Sequence, residues 1–501
     1  MNVVRLQNQP SLKSTSHEPE NSAQTLAESQ PTDADDKPEP DVPPDGGYGW
    51  VCVACVFWIN AHTWGINSSY GVFLSYYLSH NAFPHTTALA YAFIGGLSIS
   101  CNLLVGPLAN YFTHSYGTKF TLNLGVFLQT LSLIGASFAT QEWQLFLSQG
   151  VCFGWGMGFL FVGSVSIVPQ WFQKRRSVAM GITAAGSGIG GLIFSLSIGA
   201  IIPRLGLAWA FRILGITSCV VNLVCANLIR DRNKLIGSRL AVFDFPLLCR
   251  PEFLLFLGWG ILSMLGYVAL VFSVSSYAVS IGLTSHQGSI VAAILNLGQG
   301  IGRPLVGMCS DKAGRINTAA LATFFCGLWC LVIWVFADNV GVVCFFSVFV
   351  GLFAGTYWAT VSPVLAEIVG MKDMPSGLSV NWVFLVAPCT VAEVIALKLR
   401  STTASGGTSY LRIQIFTGFM FVGASLCLWL VRSWKIGELE RAQQQQSSLA
   451  LGGPLTVDTD EGNKEDNPNI LSSASSTTVT DDVKVWAPFS LARRMVALKR
   501  V

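Results

Sequence analysis

Apolar residues run in stretches too long for the helices of a soluble domain and lack the strict alternation of barrel strands. Twelve segments stand out: 48–76, 87–109, 119–140, 145–169, 177–202, 208–229, 253–279, 288–309, 316–337, 340–365, 377–399 and 411–432. Each exceeds the roughly 20 residues that a helix needs to cross the hydrocarbon core. Barrel strands are about 10 residues long, and over longer spans only helices satisfy their own backbone in lipid. The pattern therefore predicts an all-α integral membrane protein with twelve transmembrane helices. Polar stretches frame it. Residues 1–44 and 433–501 read as tails, and residues 230–252 as a linker dividing a six-helix half at 45–229 from another at 253–432.

Composition sharpens the reading. Of 501 residues, 51% are hydrophobic and 11% charged, against about 25% charged in soluble domains. Residues 45–432 carry only 19 Lys/Arg and 10 Asp/Glu. A globule so poor in charge has no polar cover, which excludes a large soluble enzyme, a nucleic-acid binder or a disordered scaffold. The polar, acidic tails are expected to be disordered and cytosolic. Residues 1–44 hold no apolar signal region, so the first helix is expected to act as its own insertion signal. With both tails inside, thirteen Lys/Arg fall at inner loops and helix ends and four (Arg204, Lys398, Arg400, Arg412) outside, in keeping with the positive-inside rule. The 13 cysteines lie mostly in apolar stretches, as small buried side chains rather than a disulfide framework. Neither a metal centre nor a cofactor is expected. Gly186–Gly191 fits a dinucleotide-loop spacing, but no strand precedes it. The sequence has no Walker A phosphate-binding pattern, which argues against an ATP-driven pump.

A weak internal repeat supports the division into halves. Gly307, Asp311, Gly314 and Arg315 follow the eighth segment, and Gly106, Asn110, Gly117 and Lys119 occupy the corresponding place after the second. Repeated halves are a signature of secondary transporters, whose substrate sites lie near the membrane midplane. Two further blocks carry a resemblance. Asp45-Gly46-Gly47-Tyr48-Gly49-Trp50 opens the first helix, and Trp171-Phe172-Gln173-Lys174-Arg175-Arg176, with Ala179, Gly181, Ala185 and Gly186, opens the fifth. Together they resemble the two signatures of the monocarboxylate-porter family, within the major facilitator superfamily, over residues 44–432. The polar tails and short central loop look most like fungal members.

The resemblance implies two pseudo-symmetric halves around a central cavity and transport of a small organic solute by alternating access. That solute is expected to be a monocarboxylate or another anionic metabolite. Riboflavin or a secondary metabolite, and a non-transporting nutrient sensor on the same fold, are the alternatives. The expected location is the plasma membrane, with the vacuole as the alternative. Arg303-Pro304 matches the family's Arg-Pro in helix 8. Where proton-coupled animal members carry an Asp four residues earlier, this chain has Gln299, and Ser68 stands where they carry a helix 1 Lys.

Several residues then become candidates. Arg303 is a cation inside a membrane helix, which is costly and marks a cavity or a partner. It reads either as the ligand of an anionic group or as a gate residue, and the resemblance favours the ligand. Asn296, Gln299 and Arg303 share one face of helix 8, and Asn60, Thr63 and Asn67 share one face of helix 1. With Tyr70, Tyr357 and Asn381 they are expected to line a hydrated path. Asp311, Gly307, Gly314, Arg315 and Glu367 are expected to form an inner gate. Asp45 reads as a helix cap or as a gating residue. Glu393 and His62 are the candidates for proton coupling, and Glu393 also reads as a hydrated outer-end carboxylate.

Overall fold

A computed structural model describes residues 43–80, 83, 87–232, 245–400 and 406–451. Residues 1–42, 81–82, 84–86, 233–244, 401–405 and 452–501 lie outside it, and with them most of the expected tails. In chain order the helices are α1 (Gly49–His62), α2 (Trp64–Ser68), α3 (Tyr70–His80), α4 (Ala88–Leu104), α5 (Gly106–Tyr116), α6 (Thr118–Ala136), α7 (Glu142–Leu145), α8 (Phe153–Val165), α9 (Val168–Trp171), α10 (Arg176–Leu205) and α11 (Leu207–Leu228). There follow α12 (Phe245–Leu248), α13 (Pro251–Ser280), α14 (Ser285–Ala313), α15 (Arg315–Val332), α16 (Val340–Ala354), α17 (Thr356–Leu399) and α18 (Leu411–Leu451).

Among the described residues nine helices are long and apolar enough to span a membrane, and a tenth is the pair α4–α5, bent by 42°. The stretch Val340–Ala396 counts once but holds two spans. Gly370 interrupts α17 with φ 81° and ψ 172°, a conformation outside the helix that glycine adopts at little cost. Tyr357, thirteen residues before that break, hydrogen-bonds Asn381, eleven after it, so the two legs fold back on each other. With α6, this gives a helix for each of the twelve predicted segments.

The repeat has a conformational counterpart. Gly117 (φ 89°, ψ 160°) joins α5 to α6, and Gly314 (φ 104°, ψ 141°) joins α14 to α15. Small residues set the packing elsewhere. A Cβ on Gly154 would lie 2.6 Å from the Ser98 carbonyl of α4, and one on Gly190 would lie 2.6 Å from the Ala61 Cα of α1. Such close helix approach is what small residues allow in membranes. The last helix departs from the sequence boundary at 432. It continues to Leu451, with Ser433, Trp434 and Ile436 buried, because the apolar face persists one turn into the polar stretch.

Candidate functional site

The first span is broken twice by its own hydroxyls. Thr63 Oγ1 donates to the Ile59 carbonyl at 2.7 Å, Ser68 Oγ to Gly65 at 2.9 Å and Ser69 Oγ to Ile66 at 2.7 Å. Back-bonding of this kind bends helices, and the breaks fall at Thr63 and Ser69. Between and beside them, Asn60, Trp64, Asn67 and Tyr70 face a cavity of about 250 Å³ that is also lined by α4, α8, α10, α13, α14 and α17. Asn296, Gln299 and Arg303 line it from α14.

Arg303 is 4% exposed. Its Nη1 donates to the Ala184 carbonyl at 2.7 Å and to Ser187 Oγ, its Nη2 donates to Gln299 Oε1 at 2.8 Å, and its Nε has no partner. Every acceptor is neutral, and no ion pair among the described residues includes this guanidinium. Gly355, between α16 and α17, admits the side chain: a Cβ there would meet Arg303 Cγ at 3.1 Å and Cδ at 3.3 Å. Around it, Tyr267 donates to Gln299 Oε1 at 2.9 Å, and Asn60 Nδ2 donates to the Thr183 carbonyl at 2.9 Å. Four buried polar atoms of the lining residues stay unpartnered: Arg303 Nε, Gln299 Nε2 and Trp64 Nε1 are donors, and Asn60 Oδ1 is an acceptor. Three of these four are donors, and the guanidinium is the one formally charged group among the residues lining the cavity.

Not all the expected lining residues reach the cavity. Tyr357 and Asn381 are buried against each other, with Tyr357 packed on Trp259 at a centroid distance of 4.8 Å. Thr63 spends its hydroxyl on its own helix. His62 points its Nδ1 at the Trp58 carbonyl (2.9 Å) and its ring at Phe194, away from the cavity lining. The Glu393 side chain lies outside the described residues. Conversely, Trp64, Ser187 and Tyr267 belong to the site but were not singled out. Tyr267, a hydroxyl-bearing residue amid the apolar α13, was the one sequence signal for them.

The end of the bundle holding residues 45, 171–176 and 311–315 is closed by polar contacts. Asp311 Oδ1 and Oδ2 accept from the backbone N–H groups of Ser177 (3.0 Å) and Val178 (2.9 Å), capping α10 from the end of α14. A carboxylate there satisfies orphan donors and complements the helix dipole. Arg315 reaches Glu367, the Gln173 carbonyl and Asp311. Asn110, the counterpart of Asp311, donates to the Pro375 carbonyl at 2.8 Å and Ser379 Oγ at 2.7 Å. Gly307 lets α14 lie directly on the α10 backbone at Ser177 and Val178. None of these residues lines the cavity.

Asp45 does something else. Tyr48, not Asp45, sits at the N-cap of α1. The Asp45 carboxylate accepts from the N–H groups of Gln173 (2.7 Å) and Lys174 (2.8 Å), and its own N–H donates to the Trp171 carbonyl at 3.0 Å. Tyr48 and Trp171 in turn bond the Leu228 and Arg230 carbonyls. The two signature blocks are therefore one clasp within the first six spans. Asp45→Ala is expected to lower stability by about 1–2 kcal/mol through loss of charge-assisted bonds that are partly solvated. Thermal unfolding of the reconstituted protein checks this, and an unchanged midpoint would contradict it.

Comparison with known proteins agrees with the geometry. The sequence profile of the Major Facilitator Superfamily matches residues 52–392. The chain is 36% identical over 414 residues to "Probable transporter MCH2" of Saccharomyces cerevisiae, covering 81% of this chain and 86% of that one. It is 27% identical to "Agnestins efflux protein AgnL12" of Paecilomyces divaricatus, covering 74% and 83%. Among solved structures, the proton:xylose symporter XylE superposes with a TM-score of 0.59 at 13% identity, covering 76% of this chain and 95% of that chain.

Proposed function

Because the chain belongs to the Major Facilitator Superfamily, and is therefore a multi-pass membrane transporter of small solutes and not an enzyme, we propose that its solute is a small organic anion held by Arg303. In this reading it is a carrier of the monocarboxylate-porter type. One observation carries the proposal: a guanidinium that is 4% exposed, at the wall of the cavity, with only neutral acceptors. An Arg at the centre of a membrane helix costs about 3 kcal/mol on insertion scales. Neutral partners recover part of that, and an anionic ligand recovers more. The planar fork suits a carboxylate. The cavity of about 250 Å³ lies just under the range of about 300–1,000 Å³ typical of ligand sites, which favours a small solute.

The mechanism follows from what is closed and what is not. The excess of Lys/Arg supports a cytosolic location for the closed end, and in this reading that end is the inner gate of an outward-facing carrier. Arg303 is parked across the bundle on Ala184 and Ser187 of α10. An arriving carboxylate takes over the Ser187 and Gln299 contacts of the guanidinium, which weakens the tie between α14 and α10. The gate at Asp311 and Arg315 then opens on the other side as the two sets of helices rock. Counterflow of a labelled carboxylate in proteoliposomes tests this. Accelerated exchange supports a carrier, whereas binding without flux makes the protein a sensor.

Gln299 sets the coupling. Its amide bonds Arg303 without charge, so no proton need be taken up at this pair. Gln299→Asp would place an acid against the guanidinium, and its ionised form would hold Arg303 as an ion pair. Protonating that acid frees Arg303, so anion affinity in the variant is expected to rise as pH falls, whereas wild-type affinity stays flat. Titrating binding against pH reads the difference, and parallel pH profiles would count against this role.

A further inference from the structure

We propose that the body of the transported anion is a planar aromatic ring, which makes the substrate class an aromatic carboxylate. The inference rests on the anion reading of Arg303 and adds to it the other end of the solute. Besides the polar groups, the cavity wall includes three rings from separate elements: Trp64 of α2, Phe161 of α8 and Trp358 of α17. Their centroids lie close together, with Trp64–Trp358 at 4.8 Å, Trp64–Phe161 at 5.5 Å and Phe161–Trp358 at 6.0 Å. Behind them Trp382, fully buried, stacks on Trp358 at 6.1 Å with an interplanar angle of 15° and packs on Phe161 at 5.4 Å. The rings are thus locked by a second layer before any ligand arrives, and ordering them on binding costs little.

Trp64 and Trp358 are only half-buried, and both line the cavity. A wall of Leu and Ile would hold any apolar body equally well. Indole rings discriminate, because their negative faces and positive edges favour another ring in offset or edge contact. Trp64 also carries a buried indole N–H without a partner, which suits a ring bearing an acceptor atom. The wall and Arg303 line one small cavity, so a single ligand with a carboxylate at one end and one or two rings at the other meets both.

The test is calorimetric binding to the full chain in lipid nanodiscs, with phenylacetate and cyclohexylacetate as probes. They share carbon count and charge but differ in the ring. Phenylacetate is expected to bind several-fold to about tenfold tighter, the scale of an aromatic pair's advantage over plain burial. Trp358→Phe should keep the preference and Trp358→Leu should remove it. Equal affinities, a reversed order, binding of neither, or a preference untouched in Trp358→Leu would overturn the inference. Phenylacetamide separates this from the underlying reading. If the neutral amide binds as tightly as the acid, the anion assignment of Arg303 fails. If the acid alone binds, but no better than cyclohexylacetate, only the ring assignment fails.

Discussion

Arg303→Ala is expected to cripple carboxylate binding, with a loss of affinity of roughly thirtyfold to several thousandfold, while the protein still folds and reaches the membrane. The magnitude follows from removing the charged partner of a desolvated anion, which costs about 2–5 kcal/mol. Folding survives because no orphaned charge remains: the groups left behind are the Ala184 carbonyl, the Ser187 hydroxyl and the Gln299 amide. Each is neutral and borders a cavity that water can enter. Were the guanidinium instead the partner of a buried carboxylate, the same substitution would strand that carboxylate and destabilise the fold. Arg303→Lys keeps the charge but loses the planar fork and the reach to three acceptors, so it should retain partial binding. Affinity and thermal midpoint, measured on the same preparations, separate the two roles. Loss of stability with intact affinity would make Arg303 structural.

A second large effect is expected at the closed end. A Cβ on Gly307 would lie 2.9 Å from the Ser177 carbonyl carbon and 3.0 Å from the Val178 Cα, both backbone atoms. Backbone cannot swing aside as a side chain can, so Gly307→Val is relieved only if α14 and α10 part there. Overpacking of this kind costs about 1–3 kcal/mol, enough to move a two-state equilibrium by roughly five- to 150-fold. The Asp311 cap on Ser177 and Val178 would be lost in the same movement. Spin labels at the exposed Lys174 and Lys312 positions, with the exposed Cys249 and Cys309 replaced by Ser, report the distance across the gate. The variant should populate a longer distance and transport at least tenfold more slowly. An unchanged distribution with full transport would show that these helices do not move as proposed.

Much of the architecture was legible because lipid leaves a chain few choices. Twelve apolar runs of spanning length fix twelve helices, and the Gly307–Arg315 block recurs in the structure as a second glycine link of the same shape. Boundaries were less legible where helix runs right up to both sides of a one-residue break, as at Gly370, or where an apolar face outlasts the membrane, as after residue 432. The site was legible in part. Periodicity reports which residues share a helix face, and so it brought Asn296, Gln299 and Arg303 together. It does not report which neighbour that face meets. Tyr357 and Asn381 find each other across the Gly370 break, and His62 turns to its own helix. Asp45 sits too far from residues 173 and 174 in sequence for spacing to reveal that it caps their amides. Ser187 and Trp64 gain their roles only through packing.

The central claim is that a small anion is the solute. Its most direct test is counterflow into wild-type proteoliposomes from a mixture of carboxylic acids, neutral sugars and polyols, and amines, read by mass spectrometry. Enrichment confined to acids, and lost with Arg303→Ala, is the predicted result. Enrichment of a neutral or cationic solute, or of acids regardless of Arg303, would contradict it.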